Sequence, residues 1–290
     1  MRSARRPARP GALALAVVVG AGLAGTYVGI QKVEAVNTRP ASAGASGQSA
    51  QPVSTAPGPV SSPDPGPGLP ARVLPFTAKL SSTDIPLPGG GRRHGGCSGS
   101  LIAPDWIITA GHCFHDIDLA RRGGRPDFTM NVAIGRMTDD DPRGHLVQVV
   151  DVRQSPYNDL AVARLSTPVT DIGPLTLPDE PPADGEPLSF AGWGALSATS
   201  TVQTDHLKRG RFSVRKVLQY ELELDPAVPR TVENSPCPDD SGSPYFVPDG
   251  DQHGRLVAIE NSGPDCPQPG IEHTARVDTV AGWIHRQIGS

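Results

Sequence analysis

The sequence predicts an all-β fold built as two β-barrels, and three observations lead there. Short apolar runs recur from Ala71 onward, bounded by Gly, Pro, Asp and Asn, the texture of strands and turns. Only one stretch shows helical periodicity, at the end of the chain. The 290-residue chain leaves about 220 residues from Ala71 onward, enough to close two barrels around real cores.

The N-terminus comes first. Arg2, Arg5, Arg6 and Arg9 precede an uncharged apolar run from Gly11 to Ile30. A positive segment before an apolar one is the pattern of an export signal, and this run is also just long enough to span a bilayer. Residues 1–36 are therefore expected to be a signal peptide or a membrane anchor. In either case the positive-inside rule places the bulk of the chain outside the cytoplasm. Residues 37–70, rich in Pro, Ser, Ala and Gly, have no apolar pattern and read as a disordered linker or pro-segment.

The first barrel is expected over 71–180. Ser98–Ile102, a turn at Ala103-Pro104-Asp105, and Trp106–Thr109 read as strand, turn, strand. Val132–Ile134, Leu146–Val152 and Leu160–Leu165 follow. The proline-rich Leu177–Pro182 breaks any strand, and the second barrel is expected over 181–290. Its strands are Leu188–Ala191, Leu207–Val214, Tyr245–Val247 and Leu256–Ile259, with a hairpin turn at Pro248–Asp251. Val277, Val280, Ala281, Ile284 and Ile288 fall on one face of a terminal helix, with Asp278 placed to cap it.

A net charge of -4 with 19% charged residues gives no broad electrostatic field, so no nucleic-acid partner is expected. Asp139-Asp140-Asp141 reads as a solvated loop, not a cation site. No metal and no cofactor are expected. Four cysteines in an exported chain suggest two disulfides. Three pairings are open. The local one, Cys97 with Cys113 and Cys237 with Cys266, closes short loops, each worth about 3 kcal/mol by loop-closure entropy.

The chemistry is carried by three separated blocks. Thr109-Ala110-Gly111-His112-Cys113 holds a histidine, Asn158-Asp159-Leu160-Ala161 an aspartate, and Asp240-Ser241-Gly242-Ser243-Pro244 a glycine-flanked serine. A serine hydroxyl becomes a nucleophile only when a base removes its proton. His112 titrates near neutral pH and suits that role. Asp159 would fix its tautomer and stabilise the imidazolium formed during attack.

With Cys97–Ile102, Ala191-Gly192-Trp193-Gly194 and Thr274–Val277, these blocks occur in the order found in trypsin-like serine proteases. The region from about Leu74 to the end resembles that family, in particular its secreted bacterial members. The resemblance implies two six-stranded antiparallel barrels of the chymotrypsin kind with a C-terminal helix. It also implies a monomeric serine endopeptidase acting on polypeptides, with His112, Asp159 and Ser241 catalytic.

By the same resemblance, the oxyanion hole is formed by the N–H groups of Asp239 and Ser241. The family carries glycine where this chain has Asp239, which raises the alternative of a silent, protease-like binding module. Ser235 is placed at the base of the primary specificity pocket, with Asn261, Ser262 and Gly263 along the wall that receives substrate. Depending on how two extra residues between Gly270 and Arg276 are accommodated, Glu272 lines the pocket instead and favours Arg or Lys. The family's activation cut has no counterpart in Ser61–Pro67, and cleavage before Val73 looks too short. Asp240 is then expected to take another cationic partner, such as a buried Arg.

Overall fold

The computed structural model describes residues 73–115 and 120–289, all within one compact unit spanning 65–290. The expected signal or anchor (1–36) and the expected linker (37–70) lie outside the described residues.

Two closed antiparallel barrels account for the architecture. The first comprises β1 (Thr77–Pro86), β2 (Arg92–Ala103), β3 (Trp106–Thr109), β4 (Asn131–Ile134), β5 (His145–Gln154) and β6 (Ala161–Leu165). The second comprises β7 (Pro187–Gly192), β8 (Lys208–Val217), β9 (Glu221–Pro226), β10 (Pro244–Asp249), β11 (His253–Ser262) and β12 (Glu272–Arg276). Around the first barrel the order is β1-β2-β3-β6-β5-β4, and the second repeats it as β7-β8-β9-β12-β11-β10. Closure leaves no free sheet edge in either.

The strands follow the two-residue period. In β8, Lys208, Gly210, Phe212 and Val214 point inward while Arg209, Arg211 and Arg215 face water. Phe212 and Val214 join Phe190, Leu222, Leu224 and Tyr245 in the interior of the second barrel. A larger apolar cluster includes Phe76, Leu101 and Ile108 of the first half together with Trp193, Phe246 and Ile284 of the second. Phe76 and Phe246, both fully buried, meet edge to face at 5.2 Å. The seam between the barrels is thus continuous core, and it holds in register the loops that flank it.

Three strands were not anticipated. β1 is rich in Ser, Thr and Asp and bulges between Ser82 and Ile85; β9 is short; β12 turns polar Glu272 and Thr274 inward. The terminal helix α1 (Ala281–Ile288) buries the expected face, but Asp278 does not cap it. Val280 is the N-cap, without a side-chain bond, and both Asp278 oxygens are taken by Arg276 at 2.7 Å. Nor is the acidic run merely solvated. Asp141 is buried under Arg143, 2.8 Å away, and Asp139 pairs with Lys79 at 2.6 Å.

Phe76→Ala is expected to lower stability by about 3–5 kcal/mol, the range for emptying an aromatic site in a packed core. Urea unfolding measures this, and a change below about 1 kcal/mol would contradict the interlocked seam.

Candidate active site

The 3₁₀ turn Gly111–Phe114 follows β3 directly and carries His112. Two ties fix this turn. Thr109 Oγ1 donates to Ser98 O at 2.7 Å, and Cys113 is bonded to Cys97 on β2. Asp159 precedes β6 and grips His112 twice: Oδ1 accepts from the main-chain N–H at 2.9 Å, and Oδ2 lies 2.7 Å from Nδ1. Burial pushes the Asp159 carboxyl up, but the His112 bond and charge outweigh it, aided by Arg121 at 3.7 Å, and hold it below the usual carboxylate range. An ionised Asp159 favours the tautomer with a proton on Nδ1 and a free Nε2.

Ser241 comes from the loop before β10. Its carbonyl accepts from Ser98 N–H at 2.9 Å. Gly242 allows this approach: its φ is +85°, and a Cβ there would sit 2.1 Å from Thr109 Oγ1 and 2.7 Å from Ala110 N. The serine block is therefore pressed against the histidine block. The link between Ser241 Oγ and the His112 ring is not a hydrogen bond in this structure. Such contacts are often long until substrate arrives.

Asp239 adopts φ +71°, the left-handed region that glycine enters freely. An aspartate therefore reaches the backbone conformation expected of a glycine, at a cost of about 1–2 kcal/mol. Its side chain does not point to solvent. Oδ1 accepts from Gly96 N–H at 3.3 Å, while Oδ2 is buried with no partner. Among the described residues, neither the Asp239 nor the Ser241 N–H has a protein acceptor. Two free donors thus flank Asp240 beside the serine. Asp240 is fully buried and paired with Lys208 at 2.6 Å, both side chains at 0% exposure. The other cationic partner expected for Asp240 is therefore present, as a lysine.

A cleft of about 210 Å³ opens beside Ser241. Asn261, Ser262, Gly263, Glu260 and Glu272 line it. Ser235, expected at its base, is fully buried, donates to Asn234 Oδ1 at 3.2 Å and is not part of the lining. Glu272 occupies the pocket because β12 pairs it with Leu224 of β9 at an inward position. One of its oxygens is bound by Arg230; the other, Oε2, is buried and unpartnered. Gly263 makes room for it, since a Cβ there would coincide with Oε2. Burial pushes Glu272 up to about 7 against the pull of Arg230. Glu260 is pushed up further by burial and by Glu272, and the Tyr245 hydroxyl donates to it at 2.7 Å.

The Cys97–Cys113 and Cys237–Cys266 disulfides realise the local pairing, one beside His112 and one beside the 238–241 loop. Lys208 and Arg230 were missed from sequence. The signal for Lys208 was its parity: it shares the inward face of β8 with Phe212 and Val214.

Comparison with known proteins agrees with this geometry. The family model described as Trypsin matches residues 70–284. The chain belongs to the trypsin family. Mouse "Serine protease 56" is 27% identical over 253 residues, which are 78% of this chain and 38% of that protein. Human "Transmembrane protease serine 5" is 28% identical over 67% of this chain and 46% of its own length. "Snake venom serine proteinase 14" of Crotalus adamanteus is 27% identical over 66% of this chain and 77% of its own. The chain thus spans less than half the length of the first two relatives. The structure of neuropsin, a serine protease of mouse brain, shares the fold at 19% identity and a TM-score of 0.57, covering 74% of this chain and 95% of neuropsin. These relatives come from animals and lend no support to the bacterial subgroup expected from the sequence.

The Asp239 carboxyl yields a pH prediction. Burial, with Asp240 nearby, raises it from 3.8 to about 6, against the pull of the Gly96 N–H. The folded chain therefore holds this proton more tightly than the unfolded chain. The resulting stability is fully present below the unfolded value and is lost as pH rises through about 6. Relative to Asp239→Asn, the wild-type Tm is expected to fall as pH climbs across that window. Parallel Tm-against-pH curves for the two proteins would rule this out.

Proposed function

We propose that this chain is an exported serine endopeptidase that cleaves peptide bonds through an acyl-enzyme on Ser241. The observation carrying this reading is the pair of acceptor-free N–H groups at Asp239 and Ser241, next to the serine and to a histidine held by Asp159. As Ser241 Oγ attacks the peptide carbonyl, His112 Nε2 takes the hydroxyl proton, and Asp159 stabilises the imidazolium. The two N–H groups receive the charge developing on the carbonyl oxygen. His112 then passes the proton to the leaving amine. Water repeats the sequence on the acyl-enzyme and frees Ser241.

The cleft supports a choice of substrate. Its lining includes the acidic residues Glu260, Asp265 and Glu272 and no Lys, Arg or His. Glu272, in that lining, has a buried oxygen, Oε2, with no hydrogen-bond partner. A lysine or arginine side chain before the scissile bond satisfies it. Two disulfides among the described residues support an oxidising, extracytoplasmic setting. Among the described residues no helix is long and apolar enough to cross a membrane, so anchoring, if retained, rests on residues 1–36. The enzyme is read as a monomer.

Two measurements test this. A fluorophosphonate probe is expected to label the wild type and not Ser241→Ala; a folded wild type that stays unlabelled would favour the silent binding module. Glu272→Gln keeps a hydrogen-bond partner for Arg230. It is expected to lower kcat/KM for lysine or arginine substrates by about 10–100-fold, the worth of one charge-assisted bond, and to spare leucine substrates. An equal loss on both substrate classes would remove Glu272 from substrate choice.

A further inference from the structure

We infer that the cleft beside Ser241 is a pH-switched selector: two buried acids in its wall, Glu260 and Glu272, share one bonded cation, Arg230, so the cleft prefers a lysine or arginine side chain at alkaline pH and loses that preference at acid pH. This rests on the substrate choice proposed above and concerns its regulation.

Glu260 and Glu272 both line the cleft with Ser241, and both are buried. Glu260 lies opposite Thr274 in the β11–β12 ladder. Thr274 and Glu272 share the inward face of β12, so the two carboxyl groups are neighbours on one face. Each has its own partner: Arg230 binds Glu272 Oε1, and the Tyr245 hydroxyl donates to Glu260 Oε2 at 2.7 Å. The other charged groups nearby are engaged elsewhere or stand in the lining. Asp240 is taken by Lys208 at 2.6 Å, and Asp265 is a further acid of the cleft. His273, next to Glu272 on β12, is exposed and held by Glu221 of β9 at 2.6 Å. Glu223, opposite His273 in the β9–β12 ladder, lies 3.9 Å from Arg215 Nε.

Two carboxyl groups in one dry compartment do not both ionise readily, and one bonded cation supports one charge. Glu260, pushed up further by burial and by Glu272, keeps its proton. Burial brings Glu272 to about 7 against the pull of Arg230. Below that value Glu272 is neutral, and a substrate cation entering the cleft loses its hydration with little charge to meet. Above it the carboxylate is charged, and its Oε2, which has no hydrogen-bond partner, attracts the cation. The preference therefore appears as pH rises through about 7. The linkage also runs in reverse. A cation that binds the charged form draws Glu272 towards ionisation, so its arrival at acid pH sends the Glu272 proton to solvent.

The test compares two peptides that differ only in arginine or leucine before the scissile bond, across a pH range centred on about 7. Both need His112 as base, so the ratio of their kcat/KM values cancels that requirement and reads the cleft. The arginine-to-leucine ratio is expected to rise about tenfold or more from acid to alkaline pH, the worth of one charge-assisted bond. In Glu272→Gln it is expected to stay low and flat. A wild-type ratio that pH does not change would overturn the inference; if that ratio is high, the choice of arginine stands without the switch. A second measurement needs no turnover. Butylguanidinium is bound to the wild-type chain in a calorimeter, in buffers of different ionisation heat. Binding is expected to release a large part of one proton at about pH 6 and almost none at about pH 9. No binding at either pH, or binding without proton release at the lower one, would overturn the inference. Proton release as expected, with neither peptide cleaved, would sink the hydrolase reading and leave the switch.

Discussion

Asp240 is an anion from which water is excluded, and the loop from Cys237 to Ser243 is shaped by the need to satisfy it. Removing a carboxylate and an ammonium from water costs several kcal/mol per ion even after relaxation. The pair survives because Lys208, Gly194 N–H and Cys237 N–H fill the carboxylate together. Such an arrangement adds little net stability compared with an apolar pair. It ties the loop to three separate points of the chain, at Gly194, Lys208 and Cys237. In this arrangement the Asp239 and Ser241 N–H groups, one on either side of Asp240, have no protein acceptor among the described residues.

The same half of the molecule holds two further buried acids. Among the described residues, Asp240 pairs with the buried cation Lys208 and Glu272 with the buried cation Arg230, and Glu260 is buried with no cation bonded to it. Lys208 belongs to Asp240 and Arg230 to Glu272. Glu260 is left with a phenol, and burial keeps it towards its neutral form. The cleft therefore ends in a group held near its titration point, with one bare oxygen. In the reading proposed above, a cationic substrate side chain would complete the count, whereas an apolar one would leave Oε2 unpaired.

Much of this was legible in the sequence. His112, Asp159 and Ser241 stood out because each lay in its own block. The barrels were legible where short apolar runs stand between turn residues, as in Leu160–Leu165 and Tyr245–Val247. β12 was hidden because its inward residues, Glu272 and Thr274, are polar: Glu272 lines the cleft and the Thr274 hydroxyl donates to Leu222 O, so the apolar period is lost. Ser235 was placed at the pocket's base by alignment alone; it is absent from the lining of the cleft, whereas Glu272 of β12 is part of it. Lys208 was readable in principle, as a lysine in phase with Phe212 and Val214. It was passed over because a charge inside a strand pattern is ordinarily read as a surface position.

Asp239 shows how a local rule yields to a distant contact. Taken alone, an aspartate at φ +71° is strained, and glycine would serve better. Its carboxylate, however, reaches Gly96 N–H on β2, while its carbonyl accepts from Ser98 Oγ at 3.3 Å. Ser98 Oγ in turn accepts from Trp193 N–H at 2.9 Å. The strained residue thus binds the serine loop of the second barrel to the strand beside the histidine of the first. Glycine would relieve the strain and remove the Gly96 tie, loosening the join between the halves at the point where Ser241 must meet His112. The carboxylate that makes this tie is only half satisfied, and burial makes it hold a proton more readily than an ordinary aspartate.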